Sequence, residues 1–186
     1  MCAGSDIDWK RFTPQERAVI VFVRCRDQVL LINKKRGLGA GKVNGPGGRI
    51  DPGESAPEAA VREVREETGI EIAEPVEHAT LHFSFRDGYT LTAYVFVTRT
   101  FTGDPVQTEE ADPFWAPLDA IPYLEMWADD RYWLPEVLAG RYVDGQFVFE
   151  KDVMLWSHLT VREYVRAQTK TASATVISSP DSLQSG

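Results

Sequence analysis

Cysteine is scarce. Only Cys2 and Cys25 occur in 186 residues, one in a polar terminal stretch and one near the end of a strand-like run, which argues against a disulfide framework. Histidine is nearly as rare, and His78, His82 and His158 show no metal-ligand spacing, so each reads as structural. Long apolar runs are missing too. No stretch approaches the roughly 18 residues that a bilayer span needs. Met1 to Pro14 lacks the charged-then-apolar layout of a signal peptide, so a cytoplasmic location is the expectation. Nor is positive charge in excess: 20 Lys and Arg against 28 Asp and Glu leave a net charge of −8. That balance disfavours tight, sequence-independent binding to long nucleic acid. A small phosphorylated substrate stays open, because bound divalent cations invert a local field.

What is present describes a globular α/β protein, with 43% hydrophobic and 26% charged residues. Residues 1–14 form a polar, aperiodic extension in which Trp9 and Phe12 are candidates to pack down. The stretch 168–186 is rich in Ser, Thr and Ala and reads as a flexible tail. Residues 15–167 between them read as one domain with a mixed sheet and helices on its faces. Apolar runs at 18–24 and 28–33 fit a hairpin through Cys25–Asp27. The glycine-rich stretch 34–51 reads as a loop that brings backbone close to something. Asp87-Gly88 suits a tight turn between strands at 78–86 and 89–100, and 114–118 is a short strand. A second helix is expected over 130–139, then a hairpin turning at Asp144-Gly145 between 141–143 and 146–150.

The most informative segment is a helix with clear punctuation. Ser55-Ala-Pro-Glu58 matches a capping box, Pro57 is tolerable in the first turn, and Gly69 sits where a glycine cap belongs, which predicts a helix over 56–68. Residues advance about 100° each along a helix, so Glu63, Glu66 and Glu67 share one narrow face. Like charges at these spacings repel by a few tenths of a kcal/mol per pair, about 0.2–0.5 kcal/mol in water. An ordinary solvated acidic face is one explanation. The neighbours favour another, that hard divalent cations with oxygen ligands offset the repulsion. Gly48 and Gly53 bracket a turn that leads Glu54 back toward the helix, where Arg62 can bridge Glu54 and orient Glu63.

The stretch from Gly48 through Glu54 and Arg62-Glu63-Val64-Arg65-Glu66-Glu67-Thr68-Gly69-Ile70 resembles, position for position, the signature of the Nudix hydrolases. The resemblance implies an α/β/α sandwich with a mixed β-sheet and the carboxylate-bearing helix against it. It also implies Mg²⁺-dependent (or Mn²⁺-dependent) hydrolysis of a nucleoside diphosphate linked to a further group. By the same resemblance Glu63, Glu66 and Glu67 hold metal together with the carbonyl of Gly47, while Glu54 and Arg62 support them. The general base stays open among family members.

A lower-specificity resemblance, over roughly residues 18–160, is to the oxidised purine nucleoside triphosphate hydrolase branch of that family. It rests on 34–44, on Glu109-Glu110 before Phe114-Trp115, on Leu118 to Pro122, and on Met126-Trp-Ala-Asp-Asp-Arg-Tyr-Trp133. This implies that Glu110 approaches the metals and that Phe83 lies beside the base pocket. The branch usually carries aromatics where this chain has Leu38, Val43 and Pro46, a polar residue at Val19 and a Met at Leu91.

The residues also speak for themselves. Trp127 and Trp133 frame Asp129 and Asp130, and a planar purine needs a flat apolar surface and a few groups to read its edge. Asn44 supplies both a donor and an acceptor. Two adjacent carboxylates in a dry pocket do not both ionise readily. Helix capping is the competing role for the aspartates, core packing for the tryptophans, and solvent exposure for Lys34, the further candidate substrate contact. Three functions remain distinct: a pyrophosphohydrolase of oxidised purine nucleotides, a hydrolase of unmodified nucleotides, sugar nucleotides or capped RNA ends, and a non-catalytic nucleotide sensor. The last is disfavoured because every box glutamate is present. A monomer acting on a small nucleotide, without membrane or long nucleic acid, is the expected form.

Overall fold

A computed structural model of the chain describes residues 7–164 and, for the backbone alone, Ala174–Ser178. The apolar runs near the start become β1 (Glu16–Cys25) and β2 (Gln28–Lys34), joined by the expected hairpin with Arg24 opposite Val29. Two short strands then form inside the glycine-rich stretch, β3 (Val43–Asn44) and β4 (Gly47–Arg49). The first helix, α1, covers Ala56–Thr68 as expected. Both halves of its capping box form between Ser55 and Glu58, and Gly69 closes it in the left-handed conformation.

The chain continues through β5 (Glu71–Ala73), β6 (Val76–Phe85), β7 (Thr90–Thr98), β8 (Thr100–Thr102) and β9 (Ala111–Pro117). Asp87-Gly88 turns between β6 and β7 as expected. Next come α2 (Asp130–Leu138), β10 (Arg141–Glu150), β11 (Val153–Glu163) and β12 (Ala174–Ser178). The main sheet runs β12-β11-β10-β6-β7-β1-β2-β3, with β4 also paired to β1 and β9 to β2. It is mixed: β1 runs parallel to β7 and β10 parallel to β6, while the other pairs are antiparallel. The pair β5–β8 stands apart from it.

Alternation along β1 separates two cores. Val19, Val21 and Val23 pack with Ala59, Ala60 and Val64 of α1. Phe22 faces the opposite way, with Leu81, Phe147, and Trp133, Leu134 and Val137 of α2. Each helix therefore covers one face of the sheet, which is the expected α/β/α layering. Each fully buried valine, leucine or phenylalanine among them contributes roughly 1.5–3 kcal/mol.

The hairpin expected at Asp144-Gly145 is wrong. β10 runs straight through both residues, and Gly145 pairs with Leu81 on β6 and Leu159 on β11. The glycine answers crowding rather than turning: a Cβ there would lie 2.7 Å from Phe147 Cε2 and 2.8 Å from Leu81 Cδ2. The chain reverses instead at Lys151–Asp152, with Lys151 at φ 53.

In the N-terminal stretch, Trp9 stacks on Trp156 at 5.8 Å and Phe12 lies 5.1 Å from His82, so both aromatics pack down as expected. Residues 1–6, and all of the expected tail 168–186 except the backbone of β12, lie outside the described residues.

Gly145→Ala should destabilise the protein by about 1–3 kcal/mol through overpacking. Urea unfolding measures this, and an unchanged midpoint would show that the strand has room to spare.

Candidate active site

A cleft of about 600 Å³ opens beside β4, with α1 carboxylates at one end and aromatic side chains at the other. One guanidinium organises the polar end. Arg62 donates through Nε to Glu54 Oε1 at 2.8 Å and through Nη2 to Glu54 Oε2 at 2.9 Å, a two-pronged hold. Nη2 also reaches the carbonyl of Arg49 at 2.9 Å, which ties α1 to β4. Nη1 donates to Glu63 Oε1 at 2.7 Å and Glu66 Oε2 at 3.1 Å. The fork holds the Glu54 carboxyl down at a pKa of about 2. Burial pushes the Glu63 carboxyl up, against the pull of Arg62 and with help from Glu67 and Glu66.

Glu67 is held differently. It is 1% exposed. Lys34 Nζ donates to its Oε1 at 2.8 Å, and the Gly47 amide donates to Oε2 at 2.8 Å. The same ammonium donates to the Gly47 carbonyl at 3.2 Å. Burial raises the Glu67 carboxyl, and the charge of Glu110 adds to the rise while Lys34 opposes it. Glu110 lines the cleft, its carbonyl accepting from the Lys35 amide at 2.9 Å.

Among the described residues no three acidic, thiol or imidazole side chains converge in a metal-holding arrangement. Arg62 and Lys34 hold the carboxylates instead. The donor set itself suits a hard divalent cation, being carboxylate and carbonyl oxygens only. Lys34 also shows that the point between Gly47 O and Glu67 Oε1 takes positive charge.

Aromatic and aliphatic side chains mix with a few buried polar groups at the other end. Phe83, Leu91, Trp127 and Asn44 line it, as do Asp129 and Asp130. Asn44 and Trp127 meet over Gly39, where a Cβ would lie 2.9 Å from both Asn44 Nδ2 and Trp127 Nε1. A side chain there is barred twice, since φ is +83°. Asp129 and Asp130 are 2% and 4% exposed, and neither acts as the capping residue that their position allows. Asp129 Oδ2 accepts from Trp133 Nε1 at 2.8 Å, and Asp130 Oδ2 accepts from the Trp127 amide at 3.0 Å. Asp129 Oδ1 is buried with no hydrogen-bond partner among the described residues. Desolvation raises both carboxyls, Asp130 further because the charge of Asp129 adds to it.

Three expectations need correction. Trp133 does not line the cleft; it is fully buried, 6.0 Å from Phe22, and orients Asp129 from behind. Val43 is a core residue, and Pro46 is buried with its carbonyl accepting from Val21, so neither departure touches the cleft wall. Leu38, Val19 and Leu91 do line it. The sequence reading also missed Phe85, Phe149 and the cluster Glu16–Tyr89–Arg49. In that cluster Tyr89 donates to Glu16 Oε2 at 2.5 Å and Arg49 Nε lies 2.8 Å from the same oxygen. Phe85 was within reach of alternation, two residues after Phe83 on one face. Phe149 was hidden by the misplaced hairpin, and the cluster joins residues far apart in sequence.

Raised carboxyl pKa values mean that the folded state keeps protons that the unfolded chain releases, so stability falls as pH rises above the ordinary Asp range. Asp130→Asn removes that penalty and keeps an acceptor for the Trp127 amide. Its melting temperature should exceed the wild type's at neutral pH, the gap closing toward about pH 4. A gap independent of pH would refute the buried pair as described.

The NUDIX domain family model matches residues 14–137. The chain is 35% identical over 140 residues to the oxidized purine nucleoside triphosphate hydrolase of Danio rerio, covering 75% of this chain and 90% of that one. It is 35% identical over 142 residues to the Mus musculus protein of the same name, with the same coverage. Among solved structures, the MutT protein of Bacillus halodurans superposes with a TM-score of 0.70 at 29% identity, covering 77% of this chain and 97% of that one. Nudix enzymes generally use divalent metal ions and act on small nucleotides, and among the described residues no helix is long and apolar enough to cross a membrane. The chain belongs to the Nudix family and is a hydrolase of nucleotide phosphoanhydride bonds.

Proposed function

We propose that the protein hydrolyses oxidised purine (deoxy)nucleoside triphosphates, such as 8-oxo-dGTP and 2-hydroxy-dATP, to the monophosphate and pyrophosphate, as a cytoplasmic monomer. The observation that carries this reading is the buried Asp129–Asp130 pair beside Trp127 and Asn44 in the same cleft as the carboxylate helix. Oxidation changes the donors and acceptors on a purine edge. A protonated Asp130 can donate, and the unpartnered Oδ1 of an ionised Asp129 can accept. Trp127 supplies the flat apolar surface, braced by Phe149 at 5.6 Å and by Lys42 Nζ at 4.9 Å from the ring centroid. The hydrolases of zebrafish and mouse named for oxidised purines support the same substrate class.

At the other end Gly47, Glu63, Glu66 and Glu67, with Glu110 nearby, are the groups to hold Mg²⁺ or Mn²⁺. Such an ion supplies charge neutralisation of the phosphates and a lowered pKa for the attacking water. Arg62 keeps Glu63 and Glu66 in position while Glu54 neutralises and fixes the guanidinium. The aromatic end excludes water from the base and directs the polyphosphate toward the carboxylates.

Two measurements test the proposal. A panel of 8-oxo-dGTP, 2-hydroxy-dATP, dGTP, ATP, a sugar nucleotide and capped RNA, with products separated by anion exchange, should show pyrophosphate release with highest kcat/KM for the oxidised purines. Turnover confined to the sugar nucleotide or capped RNA would overturn it. Glu66→Gln and Glu67→Gln should each lower kcat by roughly 10²–10³-fold, the scale of losing one preorganised electrostatic stabiliser. Full turnover in both would remove the carboxylate helix from the chemistry.

A further inference from the structure

We propose that Lys34 is a resident counter-cation, holding the Gly47 carbonyl and Glu67 until a divalent cation takes those oxygens and its ammonium is released into the cleft. The inference rests on the reading of these oxygens as metal ligands and goes beyond it, because it makes metal binding an exchange between two cations.

The argument begins with burial. Glu67 is almost wholly shielded from water, and an ionised carboxylate in such a place needs a partner. Lys34 is that partner, itself only 16% exposed. Its Nζ lies 2.8 Å from Glu67 Oε1 and 3.2 Å from Gly47 O. A divalent ion such as Mg²⁺ sits about 2.0–2.1 Å from each oxygen ligand. An ion bound to both of these oxygens would fall within the space of the ammonium, where repulsion between the two positive charges is severe. The two cations exclude each other.

The conflict is confined to Lys34. Arg62 takes one oxygen of Glu63 and one of Glu66 and, among the described residues, leaves Glu63 Oε2 and Glu66 Oε1 without a partner, so it can stay where it is. Glu67 differs: Oε1 is taken by Lys34 and Oε2 by the Gly47 amide, and the Gly47 carbonyl also serves Lys34. Lys34 already lines the cleft. Once displaced, its ammonium on a flexible four-carbon stem finds its best partner in a substrate phosphate. Metal bound without nucleotide leaves that charge unpaired, so the bare protein should hold the metal weakly and the polyphosphate should tighten it.

The experiment is Mn²⁺ binding without nucleotide, followed by the electron paramagnetic resonance signal of the free ion, at about pH 8, where free carboxylates are ionised. Lys34→Met should bind Mn²⁺ about tenfold tighter than the wild type, within the range of ordinary coupling between ligands. Lys34→Gln should also bind tighter, and its neutral amide can still donate to Glu67; it carries the test if the Met variant fails to fold. Lys35→Met removes the same charge one residue away, where among the described residues the ammonium bonds only the Thr108 carbonyl; it should shift the affinity less than twofold. Equal or weaker binding by the Lys34 variants overturns the exchange, as does equal tightening by Lys35→Met, which would reduce the effect to a general field. Absence of Mn²⁺ binding in every protein would instead remove the metal reading itself, and the inference with it.

Discussion

Several glutamates cannot crowd one helix face and the turn before it unless positive charge is built in among them. In this protein the charge comes from two side chains with different geometries. Arg62 is a planar fork with enough donors to serve Glu54, Glu63 and Glu66 and still reach the Arg49 carbonyl. A lysine could not make those contacts at once. Lys34 is a point charge at the end of β2, reaching Glu67, which Arg62 does not serve. Together they let the acidic face of α1 pack against β4.

The cleft therefore joins two electrostatic regimes. At the α1 end cations pair with the carboxylates: Arg62 holds Glu54 down, and Arg62 and Lys34 oppose the rise that burial gives Glu63 and Glu67. At the α2 end burial raises a pair of adjacent carboxyls, Asp130 further because the charge of Asp129 adds to it. A nucleotide has the same division, a charged polyphosphate and a flat base with a polar edge. The correspondence follows from layering: α1 and α2 cover opposite faces of the sheet, and the short strand β4 at its edge lets one cleft reach both.

The most legible parts were those whose physics is local. The capping box and glycine of α1 are read within a few residues of each other, so its span was predictable. The turn at Asp87-Gly88 is equally local. The same dipeptide at Asp144-Gly145 misled, because a glycine can serve a turn or a tight approach. Only the neighbours Leu81 and Phe147, brought in by pairing and by the strand's own course, distinguish the two. That error also concealed Phe149 at the far end of the strand.

By itself the sequence determined the family, the reaction class and the carboxylate helix, because fixed spacings on one helix carry the family's signature and survive any tertiary detail. It also pointed to Trp127, Asp129 and Asp130 as a group, since they are neighbours along the chain. Tertiary structure alone decided that Trp133 stands behind Asp129 and that Val43 and Pro46 are not part of the cleft wall. It also decided that Lys34 bridges Gly47 and Glu67. Those facts depend on which way a side chain faces after strands pair across dozens of residues, and a chain read in order holds no record of that.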